Sequence, residues 1–431
     1  MERQYKDSGI EWIGKIPETW NLKRLVSQLI EIKEKNNPLK TDKVLSLTIK
    51  DGVIPYEEKG DVGNKSKENH EEYKLAYPNT IVLNSMNILI GAVGISNYYG
   101  CVSPVYYVFK NRESSDLRFI NYIMSSTPFQ KYLRKYANGI MEIRLRISAE
   151  DILKRQIPTP YFNEQQCIAD FLDEKCGEID SLITLQEQMI GRLKAYKQSV
   201  ITEAVTKGLN PNSPMCNSGI DWIGEIPKHW CVERKLSHIC RKGISYGIVK
   251  LFDPDDTNGV KVLRCSDVLE GYINEDKIRT VTKELSQEYK RTILSGGEIV
   301  INVRGTLGGC AVVPFSMKGY NIAREVALVD TRGINNYYLM YFFLSNAFRN
   351  YQNRYLAGCI YLGLNIEMLS SCPVIMPPLE EQQSIVSFLD TKCSEIDALI
   401  AIKQQKIEKL NEYKKSVIYE AVTGKTTVSF S

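Results

Sequence analysis

Two stretches of this chain are near copies of each other, and further along two more are. Residues 9–20 read GIEWIGKIPETW and residues 219–230 read GIDWIGEIPKHW, an offset of 210. Then EQQCIADFLDEKCGEIDSLI from Glu164 is answered by EQQSIVSFLDTKCSEIDALI from Glu381, an offset of 217. The changed offset means that the intervening stretches are less constrained in length than the repeated blocks. Arrays that stack into solenoids repeat every 20–50 residues or so, roughly. A period near 210 residues is domain-sized. The order is opening block, variable region and long helix, then all three again, which suits two binding heads and two spacers.

The 431 residues suit roughly two to four domains. Hydrophobic residues at 43% and charged residues at 25% are ordinary for a soluble globular protein. A formal net charge of +4 is too small to identify a polyanion partner by itself. The 11 cysteines form no CxxC pair, and three histidines (His70, His229 and His238) give no metal-ligand spacing. Reduced thiols and no metal are expected. Met1–Asn21 has no basic-apolar leader and no apolar run approaches about 18 residues, so a cytoplasmic chain is expected.

From Glu164 to about Thr206 there is no proline, and apolar positions recur in steps of three and four. Leu172, Ile179, Ile183, Ile190 and Leu193 mark the seam of the first helix. Leu389, Ile396, Ile400, Ile407 and Leu410 mark that of the second. Each helix would run about 40 residues, on the order of 60 Å. One such helix alone would expose too much apolar surface, so the matched seams predict that the two pack on each other, antiparallel. Phe171, Leu182, Phe388 and Leu399 widen the stripe enough to touch a third surface. Prolines precede both helices, Pro158 and Pro160 at the first and Pro377 and Pro378 at the second. Asn163 is a candidate N-cap, with Gln166 completing a capping box. Gly208 ends the first helix, and a turn-rich linker through Pro214 leads to the second opening block.

Residues 21–160 and 231–378 carry short β-like runs between glycine, asparagine and proline punctuation, including 81–83, 102–109, 298–303 and 325–329. Continuous helices are expected over 117–136 and 336–355, each reaching a basic-aromatic stretch, KYLRKY and RNYQNRY. KVLSL from Lys43 aligns with KVLRC from Lys261, and Asn84 aligns with Asn302. Ser46 then stands opposite Arg264, and Met86 opposite Arg304. A shared frame with different polar groups is what two differently specific readers need.

These residues resemble the specificity subunit of type I restriction–modification systems over nearly the whole chain. The marks are the twin SGI-(E/D)-WIG-x-IP-x-x-W blocks and the proline-then-EQQ start of each long helix. PPLEEQQSIVSFLDTKCSEIDALI at 377–400 and the helix ends AYKQSVITEAVTKG and EYKKSVIYEAVTGK add to them. The first copy departs slightly, with IPTPYFNEQQ in place of a full PPLEEQ. The resemblance implies an α+β chain of two similar mixed target-recognition domains separated by two long helices packed as an antiparallel coiled coil. It divides the chain into domain 1 at 1–161, helix 1 at 162–208, domain 2 at 209–378, helix 2 at 379–424 and a tail at 425–431. Each domain would read one half of a bipartite, asymmetric site in double-stranded DNA. Two modification (methyltransferase) subunits would dock, with restriction (motor-nuclease) subunits in the full complex. S-adenosylmethionine, ATP and Mg2+ would serve those partners and not this chain.

A base-reading surface needs side chains that match the donor and acceptor pattern of the major groove, and phosphate contacts to position them. For the second head the candidates are Arg264, Arg304, Arg324 and Arg354, with Arg304 foremost because RGTLGG at 304–309 is a flexible basic turn after a predicted strand. For the first head they are Lys65, Lys67, Asn84, Asn87, Arg134 and Lys135. GAVG at 91–94 and RGTLGG lack the GxxxxGK(S/T) pattern of an ATP site, and no acid–base set suggests catalysis. The chain reads as non-catalytic. A competing reading is a non-DNA scaffold with two protein-binding heads on a helical bracket.

Overall fold

The computed structural model describes residues 3–60, 70–137, 145–250, 258–356 and 363–428. The chain divides into two compact units, residues 1–186 with 405–431, and residues 187–404. Both boundaries fall inside the long helices, Phe162–Lys207 and Leu379–Val422, so each unit takes in part of both.

The first unit is built on a four-stranded antiparallel sheet ordered Leu29–Ile32, Tyr106–Asn111, Thr80–Asn84, Val93–Ser96. The run TIVLN of Thr80–Asn84 is buried along its whole length, as a central strand rich in β-branched residues should be. Helix Leu117–Ser125 lies on this sheet. Ile81, Leu83, Phe109, Phe119 and Ile123 share one core with Ile168 and Leu172 of the first long helix and Ala421 and Val422 of the second.

The second unit repeats the plan. Its antiparallel sheet is ordered Ser245–Tyr246, Val326–Val329, Ile299–Asn302, Cys310–Val312. Helix Asn336–Leu344 covers it, and Ile299, Ile301, Ala327 and Phe342 pack with Ala204, Val205, Ile385 and Leu389. The units diverge at their rims. The first carries a hairpin of Leu45–Thr48 with Gly52–Pro55. In the second, Val260–Leu263 sits in a three-stranded sheet between Arg279–Val281 and a parallel neighbour, Asn321–Ile322.

The two long helices pack together antiparallel, as a coiled-coil-like pair, and the register is legible within each unit. In the first, Leu172 meets Ala421 and Val422 in one core, and Asp180 binds Lys414. In the second, Val205 shares a core with Leu389, and Lys197 binds Asp397. Leu172, Ile179, Leu389, Ile396 and Ile407 are buried, while Ile183, Ile190, Leu193, Ile400 and Leu410 are half-buried.

The repeated sequence blocks have definite structural jobs. The middle glutamine of each EQQ ties the start of its long helix to the cap of the sheet-covering helix. Gln165 Oε1 accepts from the Asp116 amide at 3.0 Å and Nε2 donates to the Pro160 carbonyl at 3.0 Å. Gln382 does the same with the Asn335 amide at 2.7 Å and the Pro377 carbonyl at 2.8 Å. Both side chains are buried, where an unpaired amide would be costly. At the other end, each long helix stops on a left-handed glycine pressed against the last tryptophan of an opening block. A Cβ on Gly424 (φ +72) would come within 2.5 Å of Pro17 and 3.1 Å of Trp20. One on Gly208 (φ +76) would come within 3.0 Å of Trp230.

Three local expectations are corrected. The predicted helices over 117–136 and 336–355 are each two helices, Leu117–Ser125 with Thr127–Arg134 and Asn336–Leu344 with Asn346–Leu356. They break at Ser126 and Ser345, whose backbones are extended and whose hydroxyls donate to the carbonyls of Ile123 and Phe342, an alternative to continuing the helix. The predicted strand over 102–109 is two strands, Gly100–Val102 and Tyr106–Asn111, turned at Ser103 and Pro104. The first long helix begins at Phe162, so Asn163 lies inside its first turn rather than capping it.

Candidate nucleic-acid interface

In each unit two segments meet at one rim: the one on or just after the KVL strand, which lies outside the four-stranded sheet, and the one that follows that sheet's central strand. In the first unit they line a cleft of about 800 Å³. Ser46, Thr48 and Lys50 come from the hairpin side, and Asn84, Met86 and Asn87 from the end of the central strand. Tyr106 lies on the strand beside them, with Tyr56 and Lys59 completing the wall. The mixture of hydroxyls, amides, a lysine and apolar groups suits base edges, including thymine methyls. Asn84 itself is buried, and its Oδ1 accepts from the Met86 amide at 3.0 Å, so it shapes the turn. Asn87 is exposed at the lip. Lys74 donates to the Tyr106 carbonyl at 2.7 Å, and burial holds its ammonium below the usual lysine range.

In the second unit Asn302, aligned with Asn84, is also buried and is the organiser of the rim. Its Nδ2 donates to the carbonyls of Cys265 at 2.9 Å, Val268 at 3.0 Å and Thr306 at 3.1 Å. One amide thereby fastens the 264–268 segment to the 304–309 turn. Arg304 is exposed on that turn, its guanidinium 5.3 Å from the centre of the Tyr246 ring and its backbone bridged to Gly363. Arg264 is held differently. Its Nε and one terminal nitrogen bind the two oxygens of Asp267 at 3.1 and 3.0 Å, and it also donates to the Lys277 carbonyl. Arg324 is exposed at the start of the neighbouring strand's approach, one residue before Glu325, whose carbonyl accepts from the Arg304 amide at 3.3 Å.

The structure therefore brings Asn84 with Asn87, and Arg264 with Arg304 and Arg324, to equivalent rims. Arg134 is exposed at the end of helix Thr127–Arg134, and Lys135 follows it in an ion pair with Glu11. Arg354 is paired with Asp221 at 3.4 Å. Lys65 and Lys67 lie outside the described residues. Sequence reasoning passed over Thr48, Lys50 and Tyr106, because the hairpin's base is joined to the strands beyond it by the bridge of Val44 to Cys101, between residues far apart in the chain, and that leaves no local signal. It also passed over Glu11 and Asp221, although the single Glu/Asp position in the repeated block was a visible hint. Among the described residues no group of three His, Cys, Asp or Glu is placed to hold a metal, and no helix is long and apolar enough to cross a membrane.

The model of the family described as "Type I restriction modification DNA specificity domain" matches twice, over residues 17–194 and 227–412. The chain belongs to the specificity subunits of type I restriction–modification systems. The MjaVIII specificity subunit of Methanocaldococcus jannaschii is 25% identical over 429 residues, covering 96% of this chain and 94% of the relative. The EcoBI specificity subunit of Escherichia coli is 24% identical over 298 residues, covering 66% of this chain and 61% of the relative. A chain of a solved structure described as "Structural basis underlying complex assembly and conformational transition of the type I R-M system" shares the fold, with a TM-score of 0.67 at 14% identity over 95% of this chain and 99% of that one. As a member of this family the specificity subunit is a sequence-specific DNA-recognition subunit and is not itself an enzyme.

Proposed function

We propose that each unit of this specificity subunit reads one half of a split, asymmetric DNA site. The observation that carries this is the pairing of like frames with unlike rims. The sheets, covering helices and glutamine anchors repeat, while Ser46 and Met86 give way to Arg264 and Arg304. In the second unit Arg304 is the foremost base contact, since its turn is clamped by Asn302 and its guanidinium is exposed. Arg264, bound on two sides by Asp267, is better placed to position neighbours than to reach a base. Arg324 and Arg354 are further candidates there. In the first unit Asn87 is the leading candidate, with Asn84 shaping its turn, Arg134 and Lys135 on the adjoining helix, and Lys65 and Lys67 retained from sequence alone.

Modification subunits, two of them, would dock on the long helices, which leave Leu182, Leu185, Tyr196, Leu399, Ile402 and Tyr413 exposed. Restriction subunits would join for cleavage, and S-adenosylmethionine, ATP and Mg2+ would act in those partners, in the cytoplasm. The domain limits 1–161, 162–208, 209–378, 379–424 and 425–431 belong to the same proposal. The test is Arg304→Ala in the assembled complex, read by methylome sequencing. Relaxed reading of one half-site with the other intact supports the assignment, and a lost base contact commonly costs about 1–3 kcal/mol. Changes in both half-sites, or an unchanged motif with unchanged affinity, refute it. If Arg304 met phosphate, binding would fall evenly for all sequences.

A further inference from the structure

Away from the rims and the long helices, an ion pair between the opening block and a basic helix segment recurs in both units. In the first, Glu11 of the opening block pairs with Lys135, just past helix Thr127–Arg134. Beneath the pair Trp12 packs on Phe129 and Tyr132, with ring centres 5.3 and 6.2 Å apart. A cleft of about 340 Å³ opens there, lined by Glu11, Trp12, Thr127, Lys131, Tyr132 and Lys135. In the second unit Asp221 of the opening block pairs with Arg354, and Trp222 packs on Tyr351 at 5.3 Å. Aligning Tyr132 with Tyr351 sets Lys135 on Arg354, and sets Lys131 and Arg134 on Asn350 and Asn353. Both members of the pair have changed residue type, and the neighbouring cations are gone, yet one cation facing one carboxylate remains.

Folding stability does not explain that retention. The carboxylates are 82% and 86% exposed, and ion pairs so open to water contribute little. The basic helices do, however, adjoin the rims. Helix Thr127–Arg134 packs against the turn Ile88–Ile90 that follows Asn87. Arg349, on the helix carrying Arg354, binds Glu270 at 2.8 Å, and Glu270 is bridged to Cys310 just after the Arg304–Gly309 turn. A contact needed alike by two units that read different bases is a contact to what the two half-sites share, the phosphodiester backbone.

We infer that Lys135 and Arg354 are backbone-phosphate contacts, each neutralised off DNA by a displaceable internal carboxylate, Glu11 and Asp221. On binding, the cation exchanges its carboxylate for a phosphate. The carboxylate lowers affinity for every sequence by the same factor, so the base contacts at the rims decide where the complex stays. This rests on the reading of DNA by these two units.

The experiment uses the chain assembled with its modification subunits, and a random-sequence duplex whose binding is followed by fluorescence anisotropy across a salt series. Glu11→Gln and Asp221→Asn should each tighten binding about fivefold at low salt, the scale of one unit charge a few ångströms from a phosphate in water. Lys135→Gln and Arg354→Gln should weaken it and flatten the salt slope by about one unit. Glu11→Gln should have no effect once Lys135 is Gln. Unchanged affinity and slope in Glu11→Gln and Asp221→Asn overturns the inference, as does weaker binding with a lowered melting temperature, which would make the pairs simple latches. Each unit tests the claim separately, so one variant that fails to assemble leaves the other to decide. Absence of salt-dependent binding by the unaltered complex would instead count against the DNA reading itself.

Discussion

Lys414 places its ammonium 2.7 Å from both carboxylate oxygens of Asp180, joining the second long helix to the first within one unit. Its duplicate in the other unit is Lys197 on Asp397, at 2.8 and 2.6 Å. Asp397 lies 217 residues after Asp180, and Lys414 lies 217 after Lys197, the offset of the EQQ blocks. Each unit thus fixes the antiparallel register of its helix segments with the same two residue types in exchanged roles.

Such a pair sets register more than stability. Asp180→Asn should cost less than about 1 kcal/mol, since the carboxylate is more than half exposed. Asp180→Lys should cost more, through like charges, and the exchange Asp180→Lys with Lys414→Asp should recover most of the loss. Urea unfolding of the four proteins checks this, and failure of the exchanged protein to recover would dissolve the claim.

The seam should be graded by burial. Leu172→Ala and Leu389→Ala remove side chains with no exposed surface and should each cost about 2–5 kcal/mol. Ile183→Ala and Ile400→Ala, half-buried, should cost less. Ile183→Asp and Ile400→Asp should still disrupt the pair, because a charge placed against an apolar seam loses hydration. Normal melting temperature and normal partner assembly in both aspartate variants would show that these positions do not belong to it.

The glutamine anchors give a sharper test. Gln165→Leu and Gln382→Leu keep the volume but leave an amide and a carbonyl without partners, at about 1–3 kcal/mol each. The effect of each should be local: hydrogen exchange should rise at Asp116 in the first and Asn335 in the second. Exchange that rises evenly over the whole chain would argue against a specific tie.

Asn302→Ala should loosen the second rim without touching the first. Three carbonyls, of Cys265, Val268 and Thr306, lose one common donor. Recognition of one half-site should degrade while the other is read normally, as the methylome would show. Equal degradation of both halves would mean that Asn302 acts through global stability alone.

At the helix ends, Gly424→Val and Gly208→Val should lower the melting temperature, combining a left-handed backbone with a clash on Pro17 and Trp20 or on Trp230. The larger effect is expected at Gly424, where the added Cβ meets ring atoms at 2.5 Å. Differential scanning calorimetry orders the two.

The amino-acid sequence alone determined the duplicated plan and the two long helices. These rest on signals repeated over 20 or more residues, in the EQQ blocks and the seam from Leu172 to Leu193. The same regularity carried the family resemblance. What only the tertiary structure decided rests on contacts between distant residues. The breaks at Ser126 and Ser345 were missed because each turns on one side chain bonding back to its own helix. Asn84 and Asn302 were legible as an aligned pair, but not as buried organisers, since Asn302 finds its partners at Cys265 and Val268, which lie 37 and 34 residues earlier in the chain where no local pattern points to them. Lys135 and Arg354 stood out as cations. That each faces a carboxylate more than 120 residues earlier in the chain followed only when the fold closed the opening block onto the helix.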